Sequence, residues 1–228
     1  MNIENLMQNG IAALNQGKPE LALQCFSRAE AALPGNPTVL NYRGIALCAL
    51  GRYQAALDCF RQAAAAWPDN VDVRGNIGFA LNVLQRYDEA LIQLDRALAL
   101  NPADIKILNS RGLALHHLQR HSEALACFER AMAVDPNYLD ALVNHAVTLN
   151  ALGRHDEELA SLDRAVMINP TYPVAIYNRS VVLLKFGRVE EALAILEPAC
   201  ALSPQASHMR FNCGTYRLLL GDSRRGLP

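Results

Sequence analysis

Apolar residues along this chain fall into two short helical stripes that recur together. Leu40, Gly44 and Leu47 are spaced by four and three, as are Leu108, Gly112 and Leu115. A second stripe follows each, as in Ala56, Phe60 and Ala63 or Ala124, Phe128 and Ala131. Such spacing puts side chains on one helical face, so the pattern predicts pairs of amphipathic helices. Pro34, Pro68, Pro102, Pro136, Pro170 and Pro204 set the interval at 34 residues, a period that signals stacked arrays. Numbered from Ile3, the units are 3–36, 37–70, 71–104, 105–138, 139–172 and 173–206, followed by a partial seventh at 207–221 and a tail at 222–228.

Other columns keep this register. Position 27 is alanine in all six complete units (Ala29, Ala63, Ala97, Ala131, Ala165, Ala199), and position 24 is large and apolar (Phe26, Phe60, Leu94, Phe128, Leu162, Leu196). Position 8 is small: Gly10, Gly44, Gly78, Gly112, Ala146, Ser180 and Gly214. Small residues at position 8 and at position 20 let the paired helices approach closely. Gly17, Gly51, Gly153, Gly187 and Gly221 stand at position 15, where a left-handed residue ends the first helix. Pro19, Pro37 and Pro173 sit where helices open, and acids such as Asp88, Glu89, Glu190 and Glu191 crowd first turns, favourable for the macrodipole.

With a large residue, glycine, alanine, phenylalanine, alanine and proline at these offsets, the chain resembles a tetratricopeptide repeat array from Ile3 to about Gly221. The resemblance implies an all-α solenoid, a right-handed superhelix whose first helices line a concave face.

Composition narrows the function. With 21 basic and 22 acidic side chains the net charge is −1, which argues against a nucleic-acid binder held by bulk charge. No run approaches the roughly 20 apolar residues of a membrane span, and the N-terminus has no basic stretch of the secretory kind. Six cysteines without a Cys-x-x-Cys pair read as buried free thiols in a reducing, cytoplasmic setting.

The sequence holds no phosphate-binding loop and no His-Glu-x-x-His. His117 and His121 are four apart, but a helix break near Gln119 and Arg120 separates them, so with His116 they read as groove-lining or solvated rather than metal ligands. No catalytic residue, metal or cofactor is expected. Lys18, Arg52, Arg86, Arg120, Arg154 and Arg188 form a basic row at position 16, largely neutralised by acids two or three residues on.

Three irregularities stand out. Glu158 replaces the small residue of position 20; it is expected to snorkel to the edge, with His145 as the partner available if it stays inside. Pro198 lies inside a second helix and is expected to kink or shorten it. The seventh unit is a single helix whose Phe211, Cys213, Leu218, Leu219 and Leu220 are very apolar for a solvent-facing cap; contact with another protein, self-association through this helix, or a chain that resembles only part of a longer one are the readings.

If first helices line the groove, a ligand meets Asn41, Tyr42, Asn76, Phe79, Asn82, Asn109, Leu113, His116, Asn144, Val147, Asn150, Tyr177, Asn178, Val181 and Asn212. Amides both donate and accept, so a ladder of them suits the backbone of an extended peptide, and position 9 adds an apolar stripe (Ile11, Ile45, Phe79, Leu113, Val147, Val181). The two-carboxylate clamp of family members that grip the acidic C-termini of heat-shock chaperones is absent: position 5 lacks Lys or Arg and position 9 is apolar until Thr215. Asn76-Ile77-Gly78, Asn144-His145-Ala146 and Asn178-Arg179-Ser180 resemble repeats of O-linked N-acetylglucosamine transferases and of bacterial proteins carrying a glycosyltransferase domain. The segment from Tyr216 to Gly226 is similar to the join in the bacterial group, except that Leu227-Pro228 follows instead of an aromatic. The expectation is a scaffold that binds a protein or peptide in its groove; the second reading is the substrate-recognition arm of a glycosyltransferase system.

Overall fold

The computed structural model describes residues 2–202 and 206–221. Pro204 and the tail, with Leu227 and Pro228, lie outside the described residues. The described residues form thirteen α-helices and no strand, a solenoid of helical repeats: α1 Ile3–Asn15, α2 Pro19–Ala32, α3 Pro37–Ala49, α4 Tyr53–Ala66, α5 Val71–Val83, α6 Tyr87–Leu100, α7 Ile105–His117, α8 His121–Val134, α9 Leu139–Ala151, α10 His155–Ile168, α11 Pro173–Lys185, α12 Val189–Leu202 and α13 Ser207–Leu219. They divide into two compact units, Met1–Arg130 and Ala131–Pro228.

In the first unit, Asn36, Asn70 and Asp104 cap α3, α5 and α7: each carboxamide or carboxylate oxygen accepts backbone N–H groups of the first turn at 2.9–3.2 Å. Each first helix ends the same way. The N–H of the position-16 residue reaches back five residues, as Arg52 to the Leu47 carbonyl and Arg120 to that of Leu115, both at 2.9 Å. The residue between is left-handed, and at Gln85 (φ 59°) and Gln119 (φ 60°) it is not glycine.

The core explains position 8. A methyl group added to Gly10 or Gly112 would lie 2.5 Å from the ring of Phe26 or Phe128, and one on Gly78 would lie 2.5 Å from Leu94. These large residues are themselves fully buried, so helix α-carbons in each pair pack directly against a side chain with no room for a β-carbon.

In the second unit Leu162 and Leu196 fill position 24, both at 0% exposure, and position 8 is Ala146 and Ser180. α9 and α11 follow Tyr138 and Tyr172, which make no side-chain cap. Instead the Tyr172 hydroxyl donates to Asp140 Oδ1 at 2.7 Å; burial first, and then this carboxylate, pushes the phenol up to about 12.

Two expectations are corrected here. Glu158 does not snorkel: it is 4% exposed. Its carboxylate meets His155 Nδ1 at 2.9 Å and Lys185 Nζ at 3.7 Å, while His145 pairs with Ser161 Oγ at 3.0 Å. The charge stays inside because α10 itself and α11 bring nitrogen donors to it. Of the kink or shortening expected at Pro198, the shortening does not occur, since α12 has 14 residues, as α10 has. Proline forfeits one backbone hydrogen bond, and burial of Leu196 and Ala199 on either side holds the helix.

Candidate functional site

The first unit carries an open groove of about 350 Å³ on its first helices. α3 contributes Asn41, Tyr42 and Ile45; α5 contributes Asp72, Gly75, Asn76 and Phe79; the start of α7 adds Asp104, Lys106, Ile107 and Ser110. Tyr42 is held in place by stacking on Phe26, with centroids 5.6 Å apart. Phe79 leans edge-on against Tyr53 at 6.4 Å yet remains 45% exposed. An exposed phenylalanine beside Ile45 and Ile107 offers apolar area that water covers at a cost.

The amides of the groove are partly spent on each other. Asn76 Nδ2 donates to Asn41 Oδ1 at 2.9 Å. That pairing leaves Asn41 one amino group and Asn76 one oxygen, a donor and an acceptor side by side, the set a peptide unit needs. Asn82 donates at 2.7 Å to the Ser110 carbonyl, so it ties α5 to α7 and its own oxygen is enclosed.

Charge is set by Asp72 and Asp104 against Lys106. One oxygen of Asp104 is occupied in capping α7, accepting the N–H groups of Lys106 at 3.0 Å and Ile107 at 3.1 Å. Its other oxygen and the Asp72 carboxylate leave the rim with a net charge of −1, favouring a cationic group at that end.

The remaining predicted residues fall elsewhere. Asn109 is only 8% exposed; the first turn of α7 is enclosed at Ile107, Leu108 and Asn109 alike, which corrects its assignment to an open face. Leu113 is half-buried, and His116 sits in a ring cluster with His117 (5.4 Å) and His121 (5.1 Å), while Tyr87 stacks on His117 at 4.7 Å. Burial, and then the two neighbouring histidines, hold the His116 imidazole below its usual range. Among the described residues no group of three His, Cys, Asp or Glu side chains is placed to hold a metal ion.

In the second unit Asn144, Asn178 and Val181 are half-buried and Val147 is exposed. Asn150 accepts from Lys185 Nζ at 2.5 Å, so the ladder is capped there by a cation of its own chain. Tyr177 and Asn212 line a shallow hollow with Ser207, His208, Arg210 and Phe211, where Tyr177 meets His208 edge-on at 4.9 Å.

Sequence reasoning missed Asp72, Asp104 and Lys106. Their signal was present: Asp72 and Lys106 fall at position 2, itself a groove-facing column, and Asp104 at the last position of its unit. It also missed Arg130 and Arg164, which donate to the Pro102 and Pro136 carbonyls at 3.0 and 2.5 Å, each 28 residues upstream.

Four of the six residues of the basic row are neutralised, while Lys18 donates to Gln16. Arg86, Arg120, Arg154 and Arg188 grip Glu89, Glu123, Glu157 and Glu191 with two hydrogen bonds each at 2.6–2.8 Å. These bonds hold all four carboxyls below their usual range. Among the described residues no helix is long and apolar enough to cross a membrane.

Models of the tetratricopeptide repeat family match residues 7–71, 43–105, 105–138, 139–172 and 173–198. A tetratricopeptide repeat protein from Parabacteroides merdae is 21% identical, with a TM-score of 0.74 over 98% of this chain and 89% of its own. A thermophilic tetratricopeptide protein of Thermus thermophilus is 24% identical, with a TM-score of 0.70 over 80% and 99%. YrrB, a tetratricopeptide protein with an unusual peptide-binding site, is 26% identical, with a TM-score of 0.59 over 75% and 88%. No curated protein matches the chain in sequence.

Proposed function

The chain belongs to the tetratricopeptide repeat family, and on that premise we propose that it is a non-catalytic scaffold that holds an extended segment of a partner protein in the groove on α3, α5 and α7. The observation that carries this reading is the Asn41–Asn76 pair beside exposed Phe79. The leftover amide donor and acceptor engage one peptide unit of the segment, while Phe79 and Ile45 take an apolar side chain. Asp72 and Asp104 select a lysine or arginine nearby. Family resemblance to YrrB, which has a peptide-binding site, supports the class of ligand. The division into six repeats with a partial seventh, and a cytoplasmic setting, belong to the same reading.

Selection of an unbiased peptide library on the purified chain should enrich segments with an apolar residue close to a basic one. Phe79→Ala should weaken the selected peptides about tenfold or more, the scale expected for a buried aromatic anchor. Asp72→Asn should weaken them less and flatten their salt dependence. Helicity and melting temperature should stay near wild type because Phe79 and Asp72 are not part of the enclosed core. Undiminished binding by both variants would move the site off this groove.

The alternative, a substrate-recognition arm of a glycosyltransferase system, rests on the position-6 asparagines Asn76, Asn144 and Asn178. It predicts that a transferase co-purifies with the chain, and that its glycosylated products are the proteins the groove retains.

A further inference from the structure

Two thiols face each other where α13 packs on α12. Cys200 and Cys213 place their Sγ atoms 3.0 Å apart, about 1 Å beyond a disulfide bond. The corresponding positions of other repeats hold Glu30 and Arg43, Leu98 and Arg111, or Val166 and Arg179; two cysteines occupy them at this junction alone. An opening of about 310 Å³ leads to the pair, and both sulfur-bearing residues line it with Glu197, Arg210, Gly214 and Arg217. Arg217 holds Glu197 at 2.7 Å, while exposed Arg210 gives the mouth a positive charge. Cys200 is half-buried and Cys213 buried.

We propose that Cys200 and Cys213 are a reversible dithiol–disulfide pair, oxidised by an anionic low-molecular-weight disulfide of the glutathione type that enters past Arg210, and that the bond fastens α13 to α12. Cys200 is the thiol that reacts first with the small disulfide, since Cys213 is enclosed and burial pushes its thiol up to about 12. The Cys200 thiolate attacks one sulfur of the small disulfide, whose S–S bond breaks and releases the first small thiol. The Cys213 thiol then gives up its proton, attacks Cys200 Sγ and expels the second. Two protein thiols are oxidised to one disulfide, and one small disulfide is reduced to two thiols.

The bond matters because α13 is what covers this end of the core. Met209, Cys213 and Tyr216 pack on Ile176, Leu183, Leu196 and Ala199. Undocking α13 exposes that cluster. A covalent link between residues 13 apart lowers the population of such opened states by about two orders of magnitude, from loop-closure entropy.

The test uses the full chain equilibrated in glutathione buffers of graded redox ratio, alkylated and mapped by mass spectrometry, with hydrogen exchange followed across α13. Oxidation should remove two hydrogens and join tryptic peptides 189–210 and 211–217. Amide exchange in Ser207–Leu219 should slow about a hundredfold, and dithiothreitol should reverse both. Arg210→Ala should slow oxidation by glutathione disulfide more than oxidation by an uncharged disulfide. Cys200→Ser, at a half-buried position that leaves the fold intact by circular dichroism, should abolish the effect. A mixed disulfide that persists on Cys200, cross-linked dimers, or a joined peptide with unchanged exchange in α13 would each overturn the proposal.

Discussion

The two units build the same helix pairs from different parts. In the first, helices α3, α5 and α7 start on asparagine or aspartate caps, and glycine at position 8 lies under Phe60, Leu94 or Phe128. In the second, α9 and α11 start on tyrosines that make no side-chain cap, and the small-residue column becomes Ala146 and Ser180 opposite Leu162 and Leu196, with no phenylalanine at position 24. Position 20 is alanine throughout the first unit; in the second it is Ala192 once and once Glu158, buried with His155 and Lys185. What the helix pair requires is a small residue at position 8 against a large apolar one at position 24. Which residues meet the requirement is open, and so the paired Asn41 and Asn76 line the groove of one unit while Lys185 occupies Asn150 in the other.

The strongest way to break the comparison is to put the second unit's choice into the first. Gly112→Ala sets a methyl 2.5 Å from the Phe128 ring. Alanine gains up to about 1 kcal/mol in helix propensity, but overpacking an enclosed aromatic costs about 1–3 kcal/mol, and a contact this short lies at the upper end. The net expectation is a loss of about 2 kcal/mol in urea unfolding. Phe128→Leu alone should cost about 1–2 kcal/mol through the space it leaves. Together they recreate the Ala146–Leu162 pairing, so the double variant should lose clearly less than the sum. Strict additivity would show that the two columns do not share volume.

Lys185→Ala probes the polar difference. It removes one of the two nitrogen partners that flank a carboxylate only 4% exposed. Full loss of a partner from a buried ion pair costs about 3–5 kcal/mol. Lys185 and His155 are more than a third exposed, so screening reduces the expected loss to about 1–2 kcal/mol. Glu158→Ala restores the alanine of the first unit, and adding it to Lys185→Ala should recover most of that loss. A double variant no better than Lys185→Ala would mean the lysine acts through Asn150 instead.

The turns give a smaller effect of opposite sign. Gln85 and Gln119 hold φ near 60° where other repeats have glycine. A β-carbon in that conformation costs about 1–2 kcal/mol, offset by the greater unfolded-state freedom of glycine, about 0.5–1 kcal/mol. Gln119→Gly should therefore stabilise by up to about 1 kcal/mol, and Gly153→Gln should destabilise by a similar amount. Hydrogen exchange at the Arg120 amide, bonded to the Leu115 carbonyl, reports the turn directly.

The helices and the groove columns on α3 and α5 were legible because each repeat imposes the same size and face requirement at the same offset. Asn41, Tyr42, Asn76 and Phe79 were placed on one helix face in this way, and they line one groove. What the period could not show is how a side chain spends its hydrogen bonds. Asn76 turns to Asn41, Asn82 to Ser110, and Asn150 receives Lys185; each depends on rotamers and on a neighbour 28–35 residues away. Glu158 was misread for the same reason, since Lys185 reaches it from the next helix pair. The Cys200–Cys213 contact was hidden because the two columns carry no thiols elsewhere.

The smallest effect belongs to the feature that looks most regular. Arg120 grips Glu123 through two hydrogen bonds at 2.7 and 2.8 Å, and the arrangement recurs at Arg86, Arg154 and Arg188. The hydrogen bond from Arg120 holds the Glu123 carboxyl below its usual range. A depressed carboxyl stabilises above its unfolded pKa and loses that contribution as pH falls through its folded value, so any effect of the row vanishes in acid and is complete at neutrality. Both side chains are exposed, though, and solvent and salt screen them. Arg120→Ala should leave the neutral-pH melting temperature within error at physiological salt, about 0.15 M, even though it removes the most ordered ion pair of its turn. A clear drop, present at neutral pH and absent below the carboxylate range, would show that four aligned pairs act together rather than singly.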